Sequence, residues 1–196
     1  MKLAIFGATG ATGKQLIEQA LAAGNQVVAF ARNPFKISAS HERLTIVQGE
    51  LMDTAAIERA VSGADAAISV LGPRAGEDIH SRPLTQGMQN ILAAMQKTNV
   101  RRLIISSTPS AGDPNDLPHS RFKALVAIVK SAMRPAYEEI VNVARIVRDS
   151  DTDLLPSRSG CKRPGTACAS PPRIVLPILP PITIHPSHPC RATQKR

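Results

Sequence analysis

The chain has 196 residues, 43% hydrophobic and 20% charged, with 3% aromatic and no tryptophan. That length makes one domain with a sizeable core the expectation, and the balance is that of an ordinary globular protein. The formal net charge of +9 is not a nucleic-acid footprint: residues 1–153 carry 17 basic and 15 acidic side chains, while residues 154–196 carry seven basic and no acidic ones. No apolar run is long enough to span a membrane. A core strand that begins at Lys2 leaves no place for a signal peptide. The expectation is a cytoplasmic protein with a small-molecule substrate, with neither nucleic acid nor membrane as partner and its oligomeric state open.

The first twenty residues carry the strongest signal. Lys2–Phe6 is a short apolar strand pattern, followed by Gly7-Ala8-Thr9-Gly10-Ala11-Thr12-Gly13 and then by Leu16, Ile17, Ala20 and Leu21 at helical spacing. Strand, glycine-rich turn and helix together seat a dinucleotide pyrophosphate. One glycine permits the tight turn, a second leaves no Cβ between backbone and phosphate, and a third lets helix and strand pack closely. The helix N-terminus offers N–H groups and a partial positive charge to the anion. Thr9 and Thr12 add hydroxyl donors, and Ala11 between them is expected to border the cofactor.

Further along, strand patterns at Val27–Ala31, Leu44–Val47, Ala66–Leu71 and Arg102–Ser106 alternate with helical ones. Asp53 or Thr54 can cap a helix running to about Val61, with Gly63 just past its end. A long helix covers about Pro83 to Lys97, with Leu84, Met88, Ile91, Leu92 and Met95 on one face. A Pro-, Gly- and Asp-rich loop, Pro109 to Pro118, precedes helical pattern from about Ser120 to Arg148, interrupted at Pro135. Alternating β and α units predict a Rossmann-type, doubly wound parallel sheet, and right-handed crossovers give the order 3-2-1-4-5.

After Asp153 the character changes. Nine of the last 43 residues are proline, against seven in the first 153, and the apolar run Ile174–Ile184 is broken by Pro177, Pro180 and Pro181. Proline cannot supply ladder N–H groups, so this is not a central strand. Residues 1–153 therefore read as a nucleotide-binding domain and 154–196 as an extended or disordered tail. All three cysteines, Cys161, Cys168 and Cys190, lie in that tail at no metal-ligand spacing. No metal site is expected.

The GxxGxxG run resembles the extended and atypical short-chain dehydrogenase/reductases, in particular the NAD(P)H-binding, NmrA-like and flavin/biliverdin reductase-like group. The resemblance covers about residues 1–153. In those relatives the last helix leads into a sixth strand that closes the substrate pocket, whereas Leu154-Leu155-Pro156-Ser157-Arg158 shows no strand alternation. The switch to Pro, Arg, Ser and Cys without acids reads as out-of-frame or unspliced coding sequence, or as a divergent tail. A lost sixth strand would leave strand five as an exposed edge.

Within that frame the cofactor preference turns on the end of strand two. An acid there binds the ribose 2′-OH, and a basic residue suits a 2′-phosphate. Arg32 stands in that place with no acid nearby, its guanidinium fork matches phosphate, and Lys36 could assist, so NADP(H) is favoured over NAD(H). The resemblance places Glu50 and Leu51 around adenine, and Leu71, Gly72 and Pro73 along the cofactor path. It puts Ser106, Ser107 and Thr108 beside the nicotinamide or a substrate carbonyl, with Ser107 and Thr108 as the catalytic candidates. The Tyr–Lys pair of the familiar dehydrogenases is missing: Tyr137 is the single tyrosine, and Val141 stands four residues on. Lys123 and Lys130 lie upstream, outside the motif.

The resulting expectation is an NADPH-dependent oxidoreductase passing hydride to a small or planar acceptor such as a flavin, quinone or enone. The alternatives are a non-catalytic NADP(H)-binding redox sensor of NmrA-like type and an inactive truncated member of the family.

Overall fold

The computed structural model describes residues 1–73, 83–107, 126–128, 130–150 and 153–154. In chain order these hold β1 (Lys2–Phe6), α1 (Ala11–Ala22), β2 (Gln26–Ala31), a 3-10 turn (Pro34–Lys36), β3 (Leu44–Gln48), α2 (Thr54–Val61), β4 (Ala66–Ser69), α3 (Pro83–Lys97), β5 (Arg102–Ile105), α4 (Arg134–Asp149) and β6 (Asp153–Leu154). The strands form one sheet of order 3-2-1-4-5-6, parallel at every pairing. The expected order 3-2-1-4-5 is therefore present and is extended by one strand.

Alternation along the strands builds a core on each face of the sheet. On β1, Leu3 and Ile5 face one side and pack with Leu16, Ile17, Ala20 and Leu21 of α1. Ala4 and Phe6 face the other, with Phe30, Ile57, Val61, Ile91, Met95 and Val147, so α2, α3 and α4 cover that side. The rings of Phe6 and Phe30 pack at 5.2 Å between centroids. Burial on both faces is why β1, β2 and β4 read as continuous apolar runs. β3, at the edge, has Thr45, Ile46 and Gln48 exposed.

Three expectations about strands are corrected. β4 ends at Ser69, not Leu71, and β5 at Ile105, not Ser106. The interruption expected at Pro135 is present: the helical residues before it stop at Ala132, Met133 is non-helical, and Pro135 sits in the first turn of α4, where a proline's missing N–H costs nothing. A sixth strand does form: Asp153 and Leu154 pair with Arg102 and Leu103, so the foot of β5 is covered although the segment lacks strand alternation. Residues 155–196, with the cysteines and the proline-rich run, lie outside the described residues, as do the Pro109–Pro118 loop, Lys123, and His80 and His119, two isolated histidines expected in solvated loops. The chain divides at Gly160, and all that is described here belongs to its first unit.

Candidate functional site

The turn after β1 is held by its glycines. Gly7 has φ +85°, and a Cβ there would lie 2.9 Å from the Val70 carbonyl. Gly13, buried in the first turn of α1, would drive a Cβ into the Gly7 carbonyl oxygen and within 2.8 Å of Ala8 Cα. These two positions admit only glycine because the backbone itself passes there. Gly10 differs. It caps α1 in an extended conformation (φ −73°, ψ 166°), its N–H donates to Gly7 O at 3.1 Å, and a Cβ would touch only that oxygen, at 3.4 Å. The protein's own packing does not demand glycine at this position.

No side chain caps α1, and its first turn holds no acid. The first bond back to the cap runs from Lys14 N–H to Gly10 O at 3.0 Å. The N–H groups of Ala11, Thr12 and Gly13 precede it and lie at the positive end of the helix dipole. Gly10 and Ala11 are exposed, and Thr9 and Thr12 are half-buried beside them. Such an arrangement can take an anion.

The neighbouring loops come to the same edge. Register pairs Phe6 with Phe30 and Ala31 with Gln48, so Gly7, Arg32 and Gly49 leave their strands side by side. Arg32 is exposed, and its carbonyl accepts from Gln48 Nε2 at 3.4 Å. Glu50 is exposed, whereas Leu51 is fixed: its carbonyl accepts from Asn90 Nδ2 at 2.8 Å, and its side chain covers Gly87, where a Cβ would come within 2.8 Å. Asn90 and Gly87 lie on α3, far along the chain, so no local pattern marks them as supports of this loop. Gly49 is a similar case, pressed against Phe30 and Ala56.

On the other side of β1, Leu71, Gly72 and Pro73 follow β4. Val70 N–H still donates to Phe6 O at 3.0 Å, and a Cβ on Gly72 would meet nothing within 4 Å. Ser106 and Ser107 are exposed beyond β5, with Ser106 N–H donating to Ser69 O at 2.9 Å. They line a cleft with Ser69 and Leu71, walled by Leu84 and Met88 of α3 and by Ile140 and Val143 of α4. Ser69, 2% exposed, is a cleft hydroxyl that the sequence reading missed, because it looks like the tail of an apolar strand. Thr108 lies outside the described residues. A larger hollow of about 570 Å³ opens at the opposite edge, between the C-terminal turns of α3 and α4 (Leu92, Met95, Val100, Ile146). The site belongs at the carboxyl edge, where loops from parallel strands converge.

Two features of α4 bear on the chemistry. Tyr137 is half-buried and does not line the cleft; the Lys130 ammonium lies 5.8 Å from its ring centroid, a pairing over seven residues that the familiar four-residue spacing would not reveal. Glu139 is 2% exposed, and its Oε2 accepts from Thr85 N–H at 2.9 Å and Thr85 Oγ1 at 3.2 Å, closing the first turn of α3. Its Oε1 is buried without a hydrogen-bond partner. Among the described residues no group of His, Cys, Asp or Glu could hold a metal, and no helix is long and apolar enough to cross a membrane.

A doubly wound parallel sheet, with a glycine turn feeding a bare helix N-terminus, defines a Rossmann-type dinucleotide-binding domain. The sequence pattern of the NAD(P)H-binding family matches residues 7–155, and the chain belongs to that family, as an atypical short-chain dehydrogenase/reductase-like protein. A curated relative is the 2-alkyl-3-oxoalkanoate reductase of Shewanella oneidensis, 30% identical over 109 residues, which cover 54% of this chain and 28% of the relative. Among solved structures, ChuY, an anaerobilin reductase from Escherichia coli O157:H7, aligns over 78% of this chain and 69% of its own, with TM-score 0.61 and 20% identity. A wide-type short-chain dehydrogenase/reductase from Veillonella parvula, solved with NADP, aligns over 77% of this chain and 65% of its own, with TM-score 0.59 and 20% identity. These two share the fold. The chain spans about a third of the length of the curated relatives it matches.

Proposed function

We propose that the chain is an NADPH-dependent reductase acting on a small or planar acceptor of flavin, quinone or enone type. The observation that carries this reading is the bare N-terminus of α1, framed by Gly7, Gly10 and Gly13, with the cationic Arg32 rather than an acid one residue past β2. The donor set fits the group. Thr9, Ala11 and Thr12 with the glycine-turn N–H groups hold the pyrophosphate, and Arg32 holds the 2′-phosphate. Glu50 and Leu51 border the adenosine, and Leu71, Gly72 and Pro73 let the backbone run close to the nicotinamide ribose. When bound, the nicotinamide supplies hydride from its C4 to the acceptor. Ser106, Ser107 and Thr108 orient the nicotinamide amide or the acceptor carbonyl, and the apolar wall of Leu84, Met88, Ile140 and Val143 excludes water. The proton comes from solvent, because Tyr137 has no lysine four residues on and stands outside the cleft lining. The reductase names of the relatives support the reaction class.

That same missing pair favours a second reading, a non-catalytic NADP(H)-binding redox sensor. We also propose that the nucleotide-binding domain expected to end at Asp153 runs on through β6, with the residues beyond it an appended tail in a protein kept in the cytoplasm.

Thermal-shift titration with NADPH and with NADH tests the binding. A ligand at a hundred times its Kd stabilises the folded state by about 2.7 kcal/mol. A saturable shift, larger for NADPH, is expected; no shift with either nucleotide would sink the reading and leave an inactive truncated member of the family. Oxidation of NADPH with a panel of flavins, quinones and enones then separates reductase from sensor. Turnover with none of them selects the sensor.

A further inference from the structure

We propose that Phe35 is the stacking face for the adenine ring of the bound nucleotide, an assignment that rests on the NADPH reading above. Phe35 is 95% exposed, well beyond the next large apolar side chains, Ile128 at 64% and Met133 at 59%. A phenyl ring left in water forgoes the burial that drives folding. Single exposed apolar residues are common and need no explanation by themselves; this one is held out by a built turn.

Asn33 Oδ1 accepts from Phe35 N–H at 3.0 Å, capping the 3-10 turn. Lys36 N–H donates to Asn33 O at 3.3 Å and Ile37 N–H to Pro34 O at 3.0 Å. Pro34 fixes its own φ, and Ile37, 8% exposed, anchors the far end in the core. The backbone beneath the ring is thus pinned at both sides.

The position is chemically specific. Phe35 lies three residues past Arg32, on the loop of β2, between the glycine turn of β1 and the Glu50–Leu51 loop of β3. In a 2′-phosphorylated adenosine the purine is attached at C1′, the carbon next to the one that bears the phosphate. Whatever holds the phosphate at Arg32 therefore brings the purine within one ribose of the same loop. A purine seeks a flat π-face. The other described aromatic rings cannot serve: Phe6 and Phe30 are buried against each other, and Tyr137 is on α4. Arg32 and Lys36, both exposed, place positive charge on either side of Phe35 for the phosphate.

Calorimetric titration with adenosine 2′,5′-bisphosphate, NADPH and reduced nicotinamide mononucleotide, which lacks the purine, tests the assignment. Phe35→Ala is expected to weaken the bisphosphate and NADPH about tenfold and to leave the mononucleotide unchanged, with Phe35→Tyr close to wild type. The ring supports nothing in the core, so the melting point of Phe35→Ala stays at the wild-type value. Phe35→Trp supplies the only tryptophan of the chain, and its emission falls on adding the bisphosphate but not the mononucleotide. Bisphosphate affinity of Phe35→Ala within about twofold of wild type, or unmoved Phe35→Trp emission at saturation, overturns the stacking role while the nucleotide reading stands. Failure of the wild-type protein to bind NADPH overturns both.

Discussion

Of the four helices that run back from the carboxyl edge of this parallel sheet, α2 and α3 have their N-termini closed by a carboxylate, and α1 and α4 do not. α2 is closed by Asp53, whose Oδ1 accepts from Ala56 N–H at 2.9 Å. α3 is closed by Glu139, reaching across from α4 to Thr85. α1 is left open at Gly10, without a side-chain acceptor and without an acid in its first turn. The dipoles point the same way, so the protein neutralises the positive ends of α2 and α3 with its own carboxylates and leaves those of α1 and α4 without one; of the two, α1 alone follows a glycine turn. With glycine at the cap of α1, the missing side-chain acceptor costs about 0.3 kcal/mol. The cost is carried beside a turn whose backbone Gly7 and Gly13 allow to pass close to Val70 and Ala8. An uncapped end is therefore not by itself the mark of a ligand, since α4 has one too; what sets α1 apart is the glycine frame that precedes it.

The largest effect should follow from breaking the frame of the open end. In Gly13→Ala the new Cβ meets the Gly7 carbonyl and Ala8 Cα, backbone that cannot swing aside. The expected loss is about 3 kcal/mol, a melting point lower by about 6–12 °C, with the NADPH shift abolished. Gly72→Ala, which meets nothing within 4 Å, should leave the melting point unchanged. Equal melting points for the two variants would mean that the glycine turn is not the constrained element described.

Converting the open end into a closed one comes next. Gly10 already has the extended backbone of a cap and room for a side chain. Gly10→Asp should therefore raise the stability of the free protein, by about 0.3 kcal/mol, because glycine is itself a fair cap. The same carboxylate would occupy the phosphate position with like charge, so NADPH affinity should fall more than about a hundredfold. Melting and titration of one variant thus read opposite signs. A Gly10→Asp protein that is more stable and still binds NADPH normally would show that the open end is not the anion site.

The open end was legible in the sequence and the closed end of α3 was not, and the reason is chain distance. Gly7, Gly10 and Gly13 act within seven residues, so their spacing carries the geometry. Asp53 likewise caps the helix three residues ahead. Glu139 closes a helix 54 residues upstream, and an acid on the inner face of α4 has no local signature. The same holds for Gly87 against Leu51 and for Gly49 against Ala56, contacts made only when the sheet brings the elements together. β6 shows the converse limit. Two residues are too few to display a period, yet pairing with β5 is enough to extend the sheet at Asp153–Leu154. Ser69 was hidden because a hydroxyl at the end of Ala66-Ala67-Ile68 looks like the close of an apolar strand, not the floor of a cleft.

Arg32 sharpens the comparison from the ligand's side. If the open end takes the pyrophosphate and Arg32 the 2′-phosphate, the two act on different parts of one molecule. Arg32→Ala removes a charge-assisted contact worth about 1.5–3 kcal/mol. NADPH affinity should fall about twentyfold while NADH stays within about twofold. Equal losses for the two nucleotides would assign Arg32 to the fold or to the shared part of the cofactor.

The smallest expected effect is the control on which the contrast rests. Asp53→Ala removes the side-chain acceptor from Ala56 N–H and opens the end of α2. Stability should fall by about 1 kcal/mol, which for a domain of this size lowers the melting point by about 2–4 °C. α2 packs on the face of the sheet that also holds Phe30 and Ala56, and the tie from Asp53 to the nucleotide loop is through the backbone, Asp53 N–H to Glu50 O at 2.9 Å, which the substitution leaves in place. NADPH affinity should therefore be unchanged, in contrast with Gly10→Asp, where stability rises and affinity collapses. Should Asp53→Ala weaken NADPH as strongly as it weakens the fold, the ends of α1 and α2 would form one coupled unit. The glycine-framed end of α1 and the closed end of α2 would then no longer mark ligand and scaffold.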